Sequence, residues 1–337
     1  MDESAFGSRD RRGHWKPFKR ISYAPLFVWP FRPLPFLKWL FGMQGYIFSW
    51  NLLFASLSVV LWLFLTPSME TMSTLSVGWI AFIFGRNAVL MLAWFGAFHI
   101  RLYVKRTQGG QFKYNPNWQT QKSASHLFGS QTVDNLIWCF GSGLPIWTAY
   151  EVATLWMIAN GYIPYLDFEE SPVAFAALIL LIPMMREFHF YCIHRLIHWP
   201  PLYRTVHKVH HANVNPGPWS GLSMHPVEHL LYFSSVFVHW IIPSHPIHAL
   251  NQLVHAGLSP GPDHTGFDKI VFSEKSAIDT HCFAHYLHHK YFEVNYADGI
   301  IPLDKWFGTF HDGSDEAEKA MNARLKKRAA RMAASRT

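Results

Sequence analysis

Apolar and polar positions divide the chain into stretches of very different character. Residues 46–66 contain no charged side chain. A helix of that length, at about 1.5 Å per residue, crosses roughly 30 Å of hydrocarbon, so a first membrane span is predicted there. A second apolar run covers 75–100 and is interrupted by Arg86, which is costly unless it faces protein or water. A third run covers 136–160 and holds Pro145 and Glu151. A fourth begins near Pro172, passes through Leu178, Leu180 and Leu181 to Met185, and continues without a break into Arg186 and Glu187. The stretch 230–243 is apolar but too short for a secure span, which predicts a re-entrant or buried helix. The pattern predicts an all-α, polytopic membrane protein with about four transmembrane helices.

The connecting segments give an orientation. Arg101, Lys105, Arg106, Lys113 and Lys122 fall in the segment after the second run, whereas 67–74 has no Lys or Arg and 161–171 carries Asp167, Glu169 and Glu170. Positive loops stay cytoplasmic. The N-terminus, the 101–130 segment and everything after about residue 186 are therefore expected on the cytoplasmic side. Four organisational units follow: a basic, Pro-rich arm at 1–45, read as partly disordered; membrane helices and loops at 46–185; a histidine-rich region at 186–312; and a basic tail at 313–337, helical or disordered. No apolar core with a cleavage site follows the first charges, so a cleavable signal peptide is not expected.

Composition supports a bilayer as part of the solvent. Charged residues make up 15% of the 337, against about a quarter in ordinary soluble domains, and half of the chain is apolar. The net charge of +7 is distributed around apolar segments and suits anionic lipid rather than nucleic acid. The cysteines, Cys139, Cys192 and Cys282, form no CxxC pair, which gives no support to a thiolate zinc site or an iron–sulfur cluster.

The histidines change the picture from a membrane protein to a metal protein. Of 21, seventeen fall between His189 and His289. His194 and His198 are four apart and share a helix face. His207, His210 and His211 form HxxHH, and His285, His288 and His289 repeat it. Within each triplet the adjacent pair diverges by about 100°, so one triplet can serve two neighbouring ions. Eight clustered imidazoles exceed the four ligands of a structural zinc site and imply two metals. His225 and His229, in HPVEH, and His255 and His264, in VHAGLSPGPDH, are each either ligands or satisfied core residues. His239, His245 and His248 read as structural, His14 and His126 as surface residues, and His99 as an interface residue. Glu187, Glu228 and Asp279 are candidate acceptors for ring N–H groups, or simply surface or capping carboxylates. Imidazole suits zinc, copper, iron and nickel alike.

At these residues the sequence resembles the membrane-bound fatty acid hydroxylase/sterol desaturase superfamily. HRLIHWPPLYRTVHKVHH resembles its first two histidine boxes, SMHPVEH the segment that follows, and FAHYLHHKYFEVNYAD the last box with its trailing Asn-Tyr. PLDKWFGTF resembles the closing segment, here Asp304, Phe307, Gly308 and Thr309. The resemblance spans about 186–312. It implies a cytoplasmic, helical histidine cap holding two non-haem iron ions, with O2 as co-substrate, that hydroxylates or desaturates a C–H bond of a membrane lipid. It carries the ligand role to His194, His198, His207, His210, His211, His285, His288 and His289, with His255 and then His264 as additional matches. Asn251 stands four residues before His255, where some members have a histidine. Electrons are expected from a separate ferredoxin or cytochrome b5-type donor, in a bacterial inner membrane or the endoplasmic reticulum. The alternatives are a metal-binding membrane protein without oxygenase activity, either a divalent-metal transporter or a degenerate family member, and a haem protein. The transporter needs ligands within broken helices at the midplane, and the haem protein needs axial pairs on opposing spans.

Overall fold

A computed structural model describes residues 1–119 and 122–334. The chain begins with a hairpin of β1 (Gly7–Arg9) and β2 (Trp15–Pro17), then α1 (Pro33–Phe41). Three helices are long and apolar enough to cross a membrane: α2 (Ile47–Phe64), α3 (Val77–Val104) and α6 (Pro172–Ile197). Each shows lipid-type side chains outward, such as Leu63 and Phe64 on α2, Val89 on α3 and Phe188 on α6.

The third apolar run departs from expectation. It forms α4 (Gln131–Trp138), a π-type turn at Cys139–Gly143, and α5 (Leu144–Ala159). The 16-residue α5 buries Trp147, Thr148, Glu151, Val152, Thr154 and Leu155 among others, so it is an interior helix rather than a lipid-facing one. Glu151 is the physical reason. It forms an ion pair with Arg86 of α3 and accepts a hydrogen bond from Asn87 Nδ2 at 2.9 Å. Arg86 also donates to the Leu65 carbonyl at 3.0 Å. The arginine thus faces protein, and the carboxylate that compensates it draws α5 inward.

The loops sort to two ends. At one end Asn160 Nδ2 donates to Ser73 O at 3.0 Å, and Ser244 N donates to Pro164 O at 3.2 Å. At the other, Trp15 N donates to Tyr114 O at 2.9 Å, Tyr114 N to Gly266 O at 3.0 Å and Ile21 N to Asp312 O at 3.2 Å. The N-terminal arm, the basic segment after α3 and the histidine-rich region therefore share an end. The arm, read from sequence as partly disordered, is folded: Trp15 is 2% exposed and packs edge-on against Phe112.

Between the histidine boxes, α8 (Pro226–Phe233), following α7 (Lys208–His211), continues through short helical turns to residue 241, and α9 (Pro246–Leu258) returns. The pair is a helical hairpin, turning near Ser244, that accounts for the short apolar stretch at 230–243. All 13 residues of α9 are buried. Its Gly257 lies where a Cβ would be 2.6 Å from the Trp147 ring of α5, so only glycine permits this approach. A β-hairpin of β3 (Lys269–Ser273) and β4 (Ser276–Asp279), then α10 (Phe283–Tyr291) and α11 (Asp315–Ala334), complete the chain. The tail is helical as far as it is described; positions 335–337 lie outside the described residues.

Candidate metal centre

The long α6 delivers the first ligands. Its buried face runs Leu178, Ile182, Arg186, Tyr191, His194 and on to His198, passing from apolar packing to imidazole along one helix. Pro200 and Pro201 end it and turn the chain, so that the next helical segment returns with His207, His210 and His211. The α10 helix brings His285, His288 and His289, and residues 260–264 bring His264.

These side chains converge in two groups. His194, His198, His207, His211 and His288 form one, and His210, His264, His285 and His289 the other. Within each group the ligand atoms lie within 4.8 Å of one another. Each HxxHH triplet is split between the groups, as the 100° divergence of adjacent helix positions requires. In the first group the Nε2 atoms of His198, His211 and His288 form a triangle of 3.0–3.2 Å. In the second, His264, His285 and His289 are 2.9–3.3 Å apart and His210 lies 3.1 Å from His289.

The opposite ring nitrogens set the tautomers. His194 Nδ1 faces the Tyr296 carbonyl at 2.8 Å, His288 Nδ1 the Val294 carbonyl at 2.7 Å and His264 Nδ1 the Pro260 carbonyl at 3.0 Å. His207 Nδ1 faces Glu228 Oε1 at 2.8 Å. Carbonyl and carboxylate oxygens only accept, so each of these Nδ1 atoms carries the proton and each Nε2 is a bare lone pair. His210 Nδ1 faces the Ser223 carbonyl at 3.4 Å in the same way, and its bare Nε2 stands 3.3 Å from that of His264, where two lone pairs cannot satisfy each other. The Nε2 atoms of His194 and His207 are buried with no hydrogen-bond partner among the described residues. A cation resolves this. Two nitrogens bound at right angles about 2.1 Å from one metal ion stand about 3.0 Å apart, the spacing seen in both groups. Nitrogen donors with fixed tautomers fit a transition-metal ion, iron among them.

Electrostatics point the same way. Burial, followed by the neighbouring imidazoles, holds His207, His211, His285, His288 and His289 well below the usual histidine range. His210 is lowered to about 4 by burial. All therefore stay neutral, the form that ligates. Glu228 is pushed well up by its burial, so a nearby cation is what favours its charged form.

The segment after α10 supplies two of these five acceptors through its backbone. Asn295 sits at φ 51°, in the left-handed region that Asn tolerates best among side chains bearing a Cβ. Its amide donates to His311 O at 3.0 Å and accepts from His311 N at 2.8 Å. Asp304 accepts from Tyr296 N at 3.0 Å, Ala297 N at 2.8 Å and Thr309 Oγ1 at 2.6 Å. Asn-Tyr and the closing Asp…Thr segment thus aim the Val294 and Tyr296 carbonyls at His288 and His194.

Several expected residues are placed elsewhere. His255 joins neither group; its Nε2 meets Asn51 Oδ1 of α2 at 2.9 Å, because α9 carries it into the helix bundle. His225 caps α8, accepting from Val227 N at 3.2 Å, and His229 is fixed between Ser142 Oγ and the Leu222 carbonyl. Glu187 orients no histidine and instead accepts the backbone N–H groups of Gly299, Ile300 and Ile301 at 2.8–3.3 Å. Asp279 pairs with Lys269 across the β3–β4 hairpin. Glu228 alone of the three carboxylates touches a ring nitrogen of the groups. Sequence reasoning missed the backbone acceptors, which no side chain advertises; Asn295 and Asp304 were their visible trace.

A small cavity of about 20 Å³ lies between the groups. Phe190, Met224 and Tyr232 form its apolar wall, and Arg186, Asp263 and Asp298 its polar one.

A helical chain with paired imidazole clusters narrows the comparison with known proteins. Residues 179–309 match the fatty acid hydroxylase family model, and that region is similar to fatty acid hydroxylases and sterol desaturases. Similar proteins include the Delta(7)-sterol 5(6)-desaturase of Candida albicans, 27% identical over 52% of this chain and 45% of that protein. Methylsterol monooxygenase 1 of Gallus gallus is 30% identical over 49% of this chain and 57% of its own length. The Saccharomyces cerevisiae Delta(7)-sterol 5(6)-desaturase is 29% identical over 37% and 33%, respectively. The chain thus spans about half or less of the length of the curated relatives it matches. No solved structure matches.

Proposed function

We propose that this protein is a di-iron, O2-dependent oxidoreductase that hydroxylates or desaturates a C–H bond of a membrane lipid, with electrons from a separate carrier. The observation that carries the reading is the convergence of nine imidazoles into two groups, five of them with tautomers held by carbonyl or carboxylate acceptors. Two ferrous ions held by His194, His198, His207, His211 and His288 and by His210, His264, His285 and His289 would supply O2 activation. The remaining tasks fall to the chain. Glu228, Val294, Tyr296 and Pro260 keep the rings oriented. Phe190, Met224 and Tyr232 exclude bulk water from the space between the groups. The α6 helix, lipid-exposed at Phe188 and buried at His194, gives a lipid chain a short lateral route to the centre.

The relatives' names make sterols the first substrate class to test. The end bearing the histidines also holds the basic segment after α3, and the opposite end holds Asp167, Glu169 and Glu170. That asymmetry supports a cytoplasmic histidine cap and N-terminus. The test is anaerobic iron loading with Mössbauer spectroscopy, then lipid profiling of cells with and without the gene. Two irons per chain and an oxidised lipid that disappears with the gene are expected; fewer than two irons after careful loading sinks the di-iron reading.

A further inference from the structure

Among the nine imidazoles of the two groups, His198 alone is not fully buried. It lies at the end of α6, where the helix leaves the apolar zone. The Tyr296 ring covers it at 4.8 Å between centroids and also reaches His194 at 5.5 Å and His288 at 5.2 Å. The exposed Arg195 places its guanidinium carbon 4.6 Å from the centroid of the Tyr296 ring. Tyr203 stands beside them, 5.5 Å from His198 and 5.6 Å from His211. Arg204 and Lys208 follow, both exposed and one helical turn apart. The nearby carboxylates of Asp304 and Glu228 are buried and point inward, and Glu293 beside Tyr296 is half-buried. The outward face of this region is therefore cationic, over an aromatic floor that touches imidazoles of the first group. The second group is buried throughout.

We propose that Arg195, Arg204, Lys208 and the ring floor of Tyr203 and Tyr296 form the docking surface for an acidic-faced one-electron carrier protein, and that the first group is where electrons enter. This rests on the oxygenase reading above. Opposite charge steers encounter and fixes register, and a carrier seated here has its redox group separated from a metal site by one ring layer. The stoichiometry closes with two carriers docking in turn, each giving up one electron. For hydroxylation, R–H, O2, two electrons and two protons give R–OH and H2O. For desaturation, the same O2, electrons and protons convert H–C–C–H to C=C and two H2O.

The test uses the iron-loaded full chain in lipid nanodiscs with a plant-type [2Fe–2S] ferredoxin and the soluble domain of a cytochrome b5 as probes. The paired substitution Arg204→Glu and Lys208→Glu raises the half-saturating carrier concentration about tenfold at low salt. Wild type loses that advantage as ionic strength rises. Turnover driven by dithionite stays within about twofold of wild type, and reversing Arg11 and Arg12 of the β1–β2 hairpin, outside this surface, changes neither. Unchanged carrier dependence in the paired variant, or an equal loss in the Arg11/Arg12 control, overturns the docking surface. Absence of dithionite-driven turnover in wild type would instead overturn the oxygenase reading.

Discussion

Glu228 offers the sharpest test of how the metal centre is built. Its Oε1 lies 2.8 Å from His207 Nδ1, and the two side chains are 3% and 1% exposed, so solvent does not dilute the contact. Replacing Glu228 by Ala removes the acceptor that keeps the proton on Nδ1 and leaves Nε2 free to be protonated instead. A hydrogen bond involving a charged group contributes about 1.5–3 kcal/mol. At about 1.4 kcal/mol per decade, that corresponds to a loss of roughly 10- to 100-fold in metal affinity, the range usual for partners of ligating histidines. Glu228→Gln keeps a carbonyl oxygen within reach of Nδ1 and should lose less than about tenfold. Anaerobic competition for Fe(II) against a chromogenic chelator measures both variants, with circular dichroism to verify that the helices persist. Wild-type affinity in Glu228→Ala, or equal losses in the Ala and Gln variants, would refute the tautomer argument.

Other consequences follow from the same geometry. A Cβ at Gly221 would lie 2.4 Å from the Pro260 carbonyl that sets the His264 tautomer, so Gly221→Ala should weaken the second metal more than the first; metal stoichiometry by mass spectrometry reads this, and equal loss of both contradicts it. His255→Ala should retain two metals per chain, whereas His289→Ala should lose one and abolish turnover while membrane insertion persists. Removing one partner of the Arg86–Glu151 ion pair should cost about 3–5 kcal/mol, with Arg86→Met and Glu151→Met together losing less than either alone; thermal unfolding in detergent measures it. The folded values of His207, His211 and His288 lie below the unfolded value of about 6.5, so below that pH the unfolded chain takes up protons the folded one refuses. Stability should be full above about pH 6.5 and fall on acidification by up to about 1.4 kcal/mol per pH unit for each such histidine. A melting temperature flat from pH 8 to pH 5 in the metal-free protein would refute this.

The spacing of HxxxH and HxxHH was enough to expect two ions, because helix geometry alone separates His210 from His211. Spacing was not enough to choose between His255 and His264. Only the packing of α9 into the bundle, with Pro260 and Pro262 restarting the chain beyond it, decides which imidazole reaches the groups. Asn251, where a further ligand was conceivable, is buried inside the same helix, so the asparagine leaves no gap in either group. The third apolar run looked like the others because hydropathy does not distinguish lipid from protein as a neighbour. Glu151 was the clue, and its meaning needed Arg86 beside it. The basic arm misled for the opposite reason: Trp15 packs with partners far away in sequence, Phe112, Tyr114 and Phe283 among them, which no local pattern announces.

The buried helical hairpin has a consequence for how the protein is made. Its return arm is buried on every side, so it has no stable place until α2, α5 and α6 surround it. It is also the chain between the first two histidine boxes and His264. During synthesis the early ligands therefore emerge before the residues that complete both groups, and the centre closes only once the hairpin has slid into a preassembled ring of helices. Maturation of the metal site is, on this view, a report on membrane insertion: a chain whose hairpin fails to seat leaves the four imidazoles that follow it out of register with the five that precede it.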